Sequence, residues 1–372
     1  MINTAVEPRI TEYLYQKAAA AGVPLSGTFE LTPVCNMDCK MCYVRLSKKE
    51  QAAIAPLRSA EQWLTLGEKA KDAGMLYLLL TGGEPFLHPQ FHQILEGLHK
   101  MGLLISINSN GTMIDKKTVA WLKNCPPVRI NISLYGANDE MYARLCGNPK
   151  GFTQTKKAIE LLQQAGIAVK LNCSLTPYNA PHLEEMIDFA KSHRLPIQVA
   201  GYMFPPVRKK ETAFGDNFRL TPEQAAWHTA YSEYLLLGKE RFLARGCQEG
   251  PMIDPDAPCD CDGDVMRCRA GRCSFWITWQ GNMTPCGMFP EGSANVFEED
   301  FMSAWEKVKA QVARIRLPAA CAACSAKRHC RACGAMVYAE SGCFEEVPQY
   351  RCKMTQAYPH QWRKLQEEIC HE

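Results

Sequence analysis

No stretch of this chain is long and apolar enough to cross a bilayer. The longest early run, Met75–Leu80, has the length of a strand. The N-terminus, MINTAVEPRITEYLYQ, lacks a basic segment followed by an apolar one, so no secretory signal is legible. Charge of one sign is scarce as well. Lys and Arg number 42 against 39 Asp and Glu, for a formal net charge of +3, with no block of like charges. That balance makes no electrostatic case for nucleic acid. No repeat at a fixed period and no low-complexity tract occurs. A membrane protein, a secreted protein and a nucleic-acid binder are disfavoured, and a cytoplasmic location is expected.

Cysteine is what the chain has in excess: 19 in 372 residues, 6 of them in 1–246 and 13 in 247–372. A leaderless chain of this size does not need disulfides, and dense cysteine in a reducing compartment points to metal or cluster ligation. The odd count excludes complete internal pairing. The enrichment places a boundary near Gly246. It separates an N-terminal helical extension (1–26) and a larger unit (27–245) from a cysteine-rich module (246–372).

Short apolar runs alternate with amphipathic stretches through residues 27–202. Strands are expected at Gly27–Thr32, Leu76–Thr81, Leu103–Asn108, Val128–Leu134, Ile167–Leu175 and Pro196–Met203. Helices are expected between them. Ser59-Ala60-Glu61-Gln62 and Thr221-Pro222-Glu223-Gln224 both read as capping boxes that open helices. Six strand–helix units in series imply parallel strands with right-handed crossovers, and their apolar character suits a sheet covered by helices. Six is short of the eight of a closed barrel. The fold class expected is therefore α/β, a partial (β/α)6 TIM-like barrel with its ligand beyond the C-terminal strand ends. After Gly246 the periodicity weakens into Cys- and Gly-rich segments, closed by a last helix at about Thr355–Ile369.

The first strand runs into Cys35-x3-Cys39-x2-Cys42. Three thiolates on one short loop can hold three irons of a [4Fe–4S] cube and leave the fourth iron open to a ligand. Zinc is the alternative, but it prefers C-x2-C pairs and a closed tetrahedron, and no fourth ligand lies nearby. Thr81-Gly82-Gly83-Glu84-Pro85 follows the second strand. Two glycines let backbone approach a ligand, and a carboxylate can accept from a cation.

These residues resemble the signature of the radical S-adenosylmethionine (SAM) enzymes. The resemblance implies that Cys35, Cys39 and Cys42 hold the SAM-binding cluster. It further implies that Gly82, Gly83 and Glu84 hold the methionine ammonium of SAM, and that Asn108-Ser109-Asn110-Gly111 lies near the ribose. Ser133 would contact ribose or carboxylate, Arg144 would pair with the carboxylate, and the strand ends around Ser174 and Tyr202 would border carboxylate and adenine. One departure concerns the adenine. The family often has an aromatic residue just before the third cysteine; here Met41 stands there, with Tyr43 one place after Cys42.

The last third holds Cys268-x4-Cys273, Cys286, then Cys321-x2-Cys324-x5-Cys330-x2-Cys333, and Cys352. Phe275–Gln280, Gly281-Asn282 and the return to Cys286 read as a hairpin that brings Cys273 and Cys286 together. The C-x2-C pairs alone would equally suit a zinc ribbon. The whole pattern resembles the SPASM extension of radical SAM enzymes, which carries two auxiliary [4Fe–4S] clusters. By that resemblance Cys268, Cys273, Cys286 and Cys333 hold one cluster, and Cys321, Cys324, Cys330 and Cys352 the other. Cys330-x2-Cys333 departs from the commoner x3 spacing, so Cys343 is an alternative ligand. Cys259 and Cys261 read as loop thiols, an alternative ligand pair or a hydrogen donor. Cys125, Cys146, Cys173, Cys247 and Cys370 read as small buried residues or incidental thiols. Trp276, Trp279 and Phe289 read as core of the module.

The resemblance implies an oxidoreductase with three [4Fe–4S] clusters and SAM, reduced by a partner such as flavodoxin or ferredoxin. It would cleave SAM to a 5′-deoxyadenosyl radical that takes a hydrogen from the substrate. The leading substrate is a peptide or protein side chain, to be crosslinked, given a thioether, oxidised or epimerised. Two features qualify this. Only 26 residues precede the first strand, too few for the leader-binding domain of many peptide maturases. Gly287 stands where formylglycine-forming members have an Asp base, which disfavours sulfatase maturation. Oxidation or rearrangement of a small molecule is the alternative. A non-catalytic iron–sulfur or zinc protein is a third reading, opposed by the GGE motif.

Overall fold

Six parallel strands pair in the order of the chain: β1 (Ser26–Glu30), β2 (Tyr77–Thr81), β3 (Leu104–Ser109), β4 (Arg129–Ser133), β5 (Val169–Ser174) and β6 (Ile197–Ala200). The computed structural model describes residues 10–206, 218–245, 266, 268–289, 292, 294–326, 330 and 332–371. Each expected strand is present, with ends displaced by up to three residues. Helices stand between successive strands, as the capping residues require. Ser59 Oγ accepts from Gln62 N at 3.2 Å while Gln62 Oε1 accepts from Ser59 N at 2.9 Å, opening the helix Ala60–Asp72. The reciprocal pair at Thr221 and Gln224 opens Pro222–Leu237, with Pro222 at the first position, where its missing N–H costs nothing. A third box, Ser47 with Glu50, opens Lys48–Ile54 in the segment after the cysteine loop.

The strands have one apolar and one polar face. In β5, Val169, Leu171 and Cys173 are buried in the core shared with the helices, while Lys170, Asn172 and Ser174 alternate with them. Ile105 and Ile107 in β3 and Ile130 and Ile132 in β4 do the same, opposed by Asn108, Asn131 and Ser133. Helix residues such as Trp63, Ile94 and Leu98 close the apolar face, each fully buried side chain contributing about 1.5–3 kcal/mol. The polar face is cross-bonded: Asn131 Nδ2 donates to Asn108 Oδ1 at 2.8 Å, and Lys170 Nζ to Gln198 Oε1 at 2.5 Å. A strand period of two therefore brings amides and hydroxyls to one side at the C-terminal strand ends.

The expected boundary near Gly246 lies outside the described residues, as do Cys247, Cys259 and Cys261. Beyond it the sheet continues. β7 (Ser274–Ile277) pairs parallel to β1, and β8 (Asn282–Thr284) and β9 (Ala294–Asn295) follow antiparallel, so that the described strands form one sheet. The hairpin is present, with Trp276 opposite Thr284 and Gly281 turning at φ +101°. The C-terminal third is more helical than its composition suggests. Phe301–Arg314 buries Phe301, Trp305 and Val308, and Gly334–Ser341 follows directly on Cys333. The closing helix is Gln349–His371, so it starts six residues earlier than expected and takes Cys352 into its first turn. It packs along Pro222–Leu237, with Tyr358 OH donating to Glu233 Oε2 at 3.0 Å. Near the N-terminus, a helix spans Ile10–Ala21.

Candidate active site and metal centres

The cysteine loop leaves the end of β1 and is held on three sides. Asp38 N donates to Cys146 O at 2.9 Å and Lys40 N to Leu145 O at 3.0 Å, docking the loop on the end of the helix Asp139–Cys146. Met37, Met41, Tyr142, Leu145 and Cys146 form its apolar underside, with Cys35 and Cys39 packed against them. Backbone amides point at two of the sulfurs, Met37 N at Cys35 Sγ (3.4 Å) and Arg45 N at Cys42 Sγ (3.3 Å). From the end of β3, Asn110 Nδ2 reaches Cys35 Sγ at 3.6 Å and Asn36 Oδ1 at 2.9 Å. Burial, above all, pushes the Cys35 thiol up to about 12. Cys39 is raised chiefly by a hydrogen bond with Cys146 and then by burial. Such thiols ionise when a metal takes the charge. Cys146, read from sequence as incidental, is thus a buried neighbour of the loop.

Gly82 and Gly83 pack against the loop itself. A Cβ on Gly82, at φ +153°, would lie 2.3 Å from Thr32 O, and one on Gly83 would lie 2.5 Å from Val34 O. Gly83 N donates to Thr32 O at 2.7 Å and Glu84 N to Val34 O at 2.9 Å. The glycines are needed first because two backbones meet there; the approach to a ligand is a second consequence. Glu84 is fully buried and is not among the lining residues of the cavity, and its carboxylate accepts from the Ser109 hydroxyl, Asn110 N and Phe86 N. Burial pushes its pKa up to about 7 against the pull of those donors.

A cavity of about 420 Å³ opens between the loop and the strand ends. Cys35, Cys39, Cys42, Gly82, Gly83, Ser109, Asn110, Ser133 and Ser174 all line it, as do both Met41 and Tyr43. Arg144 does not. The buried face of its helix is Met141, Tyr142, Leu145 and Cys146, which leaves Arg144 exposed, its guanidinium 6.0 Å from the Tyr178 ring. Sequence reasoning passed over Thr81, Tyr135 and Met288 on the cavity wall. Strand alternation carried the signal for Thr81, which shares the face of Tyr77 and Leu79. Tyr135 and Met288 sit in connections, where no periodicity marks them.

The C-terminal cysteines fall into two neighbourhoods. Cys268, Cys286 and Cys333 pack on one apolar group with Met266, Ala270 and Phe289. Cys273 is fully buried against Ala18 and Leu25 just before β7. Cys321 is raised by burial and then by the nearby Cys330, Cys352 and Cys324, so these four thiols share one electrostatic environment. Cys343 is half-buried on the turn after Gly334–Ser341. Among the described residues no three His, Cys, Asp or Glu side chains are drawn to metal-ligand distances. The donor set fits clusters by its chemistry: thiols in groups, with amide donors to sulfur. Phe289 and Trp279 are core, as expected; Trp276 is half-buried and donates from Nε1 to Glu30 Oε2 at 3.1 Å. Cys125 and Cys173 are buried in the main core and Cys370 is exposed.

Residues 29–190 match the family model of the radical SAM superfamily, and residues 268–334 match that of the SPASM iron–sulfur cluster-binding domain. Together these span more than half of the chain. This chain belongs to the radical SAM superfamily. It is an enzyme, and its cofactors are SAM and [4Fe–4S] clusters, one binding SAM and the auxiliary ones in the SPASM domain. Among curated radical SAM relatives, the antilisterial bacteriocin subtilosin biosynthesis protein AlbA of Bacillus subtilis (strain 168) is 27% identical over 76% of this chain. The match spans only 59% of AlbA. The AdoMet-dependent heme synthase of Methanosarcina barkeri is 22% identical, over 89% of this chain and 97% of that protein. Among solved structures, Streptococcus suis SuiB bound to its precursor peptide SuiA superposes with a TM-score of 0.68 at 18% identity. That superposition covers 92% of this chain and 79% of SuiB, and it supports the partial barrel with its SPASM extension as the radical SAM fold here. No helix of the described residues is long and apolar enough to cross a membrane.

Proposed function

We propose that this enzyme modifies a side chain of a peptide or protein by radical chemistry. The reading is carried by one observation: the thiols of Cys35, Cys39 and Cys42 and the polar ends of β2 to β5 surround the same cavity. When bound, the cluster supplies one electron, and SAM the 5′-deoxyadenosyl group that removes a substrate hydrogen. Cys35, Cys39 and Cys42 hold the cluster, with Asn110 steadying Cys35 through its amide. The Gly82–Gly83 backbone receives the methionine ammonium, and Ser109, Asn110, Ser133 and Ser174 offer hydroxyl and amide partners to the rest of SAM. Glu84 acts behind them by fixing Ser109 and Asn110, and Arg144 is not assigned to the ligand.

In the SPASM domain, Cys268, Cys273, Cys286 and Cys333 hold one auxiliary cluster. Cys321, Cys324, Cys330 and Cys352 hold the second. A peptide substrate is supported by the likeness to AlbA and to the SuiB–SuiA complex. The end-to-end match to heme synthases favours a small-molecule substrate as the second reading. The reductant is a one-electron carrier such as flavodoxin or ferredoxin, and the location is the cytoplasm.

The test is anaerobic reconstitution followed by strong reduction with SAM. The expected result is 5′-deoxyadenosine from the wild type and none from the Cys35→Ala, Cys39→Ala, Cys42→Ala triple variant. Zinc with only trace iron, or cleavage that survives the triple change, would overturn the reading.

A further inference from the structure

Cys146 ends the helix Asp139–Cys146 directly under the cysteine loop, and it is fully buried. Two backbone hydrogen bonds clamp the residues on either side of Cys39 to that helix end, Asp38 N to Cys146 O at 2.9 Å and Lys40 N to Leu145 O at 3.0 Å. Gly147 follows at φ +66°, where a Cβ would come within 3.3 Å of Asp38 Cβ, so loop and helix end meet closely. The register set by this clamp brings two side chains together: the thiols of Cys39 and Cys146 share a hydrogen bond. Met37, Met41, Tyr142 and Leu145 belong to the same buried group.

A hydroxyl or thiol in a helix can donate back to the carbonyl four residues earlier. Here that carbonyl, Tyr142 O, already accepts from Gly147 N, and from Asn148 N at 3.3 Å. Of the three sulfurs of the loop, Cys35 and Cys42 receive backbone amides, from Met37 N and Arg45 N. Cys39 is served by a side chain instead. A sulfur that ligates a metal carries no hydrogen and can only accept. With Cys39 bound to iron, the hydrogen between the two sulfurs belongs to Cys146.

We propose that the Cys146 thiol donates a hydrogen bond to Cys39 Sγ in the loaded enzyme and so raises the reduction potential of the SAM-binding cluster. A donor to a ligating sulfur stabilises the added electron, and burial strengthens it by keeping water from competing. Cys146 is thus a positioning residue that acts through Cys39. The inference rests on the reading that Cys35, Cys39 and Cys42 hold this cluster, and it adds a fourth cysteine that does not ligate.

The test compares the full, anaerobically reconstituted chain with its Cys146→Ala and Cys146→Ser variants. A redox titration is followed by EPR at the signal that changes when SAM is added, which separates this cluster from the auxiliary ones. Cys146→Ala should lower the midpoint potential by the equivalent of an about two- to tenfold change in the one-electron equilibrium, about 20–60 mV. Cys146→Ser keeps a donor and should restore most of that shift. An unmoved potential in Cys146→Ala, or the same fall in both variants, overturns the inference, since a purely packing role would not tell alanine from serine.

Should Cys146→Ala load poorly, the infrared S–H stretch decides. The difference between loaded wild type and loaded Cys146→Ser isolates the Cys146 band, which should lie below the frequency of a free thiol. A band at the free-thiol frequency, or no band, overturns the inference. A SAM-responsive EPR signal that survives Cys39→Ala would overturn the ligand reading and the inference with it, whereas the other outcomes leave that reading standing.

Discussion

Ser109 donates its hydroxyl to both carboxylate oxygens of Glu84, at 2.9 and 3.1 Å. The same carboxylate accepts from Asn110 N at 2.8 Å, and Asn110 in turn reaches Cys35 Sγ. A conspicuous acidic residue thus stands one layer behind the cavity and sets the position of the residues that face it.

Glu84 should show itself as a pH-dependent destabilising charge in the cluster-free protein. Its folded pKa of about 7 lies above the usual 4.3 or so of a free glutamate. The folded state therefore holds the extra proton between those values. The stability it contributes is full below the lower value and is lost as pH rises through the higher one. Relative to Glu84→Gln, the wild type should lose on the order of 2–3 kcal/mol at most between pH 4.5 and 8, read by urea denaturation. A constant difference across that range would show that the carboxylate is ionised throughout.

Gly82→Ala should disrupt the site more than a methyl group suggests. The new Cβ would overlap Thr32 O at 2.3 Å, at a backbone angle that L-residues avoid. A loss of about 3 kcal/mol or more is expected, seen as a lower melting temperature together with reduced iron in the reconstituted protein.

Arg144→Ala separates the sequence reading from the structure. The side chain is exposed and off the cavity, so the SAM dissociation constant should change by no more than about twofold. A tenfold weakening would return the guanidinium to the SAM carboxylate.

Changing Cys321, Cys324, Cys330 and Cys352 to Ala together should lower the iron content from about twelve to about eight per chain and leave SAM cleavage intact. Iron quantification and 5′-deoxyadenosine assay check both halves. Loss of cleavage alongside the iron would mean that the C-terminal thiols support the first cluster as well.

Much of this protein was legible along the chain because the determinants are local. The C-x3-C-x2-C spacing confines three thiols to one loop whatever the rest does, and Ser59 and Thr221 begin helices by bonding amides three residues away. Apolar runs of strand length, separated by capped helices, leave little choice but parallel strands. The polar face was present in the alternation of Asn172 and Ser174 with Leu171 and Cys173, but was masked by the apolar average of each run.

What the sequence by itself determined was the order of elements, the grouping of thiols and the class of cofactor. Tertiary structure decided which groups face the cavity. The buried Glu84 carboxylate found its donors in Ser109 and Asn110 at the end of β3. Arg144 stayed outside because its helix had another face to bury. Cys273 is buried against Ala18 and Leu25 because β7 joins β1 beside the N-terminal helix. Each of these outcomes depends on contacts between segments remote in the chain, which no spacing or propensity records.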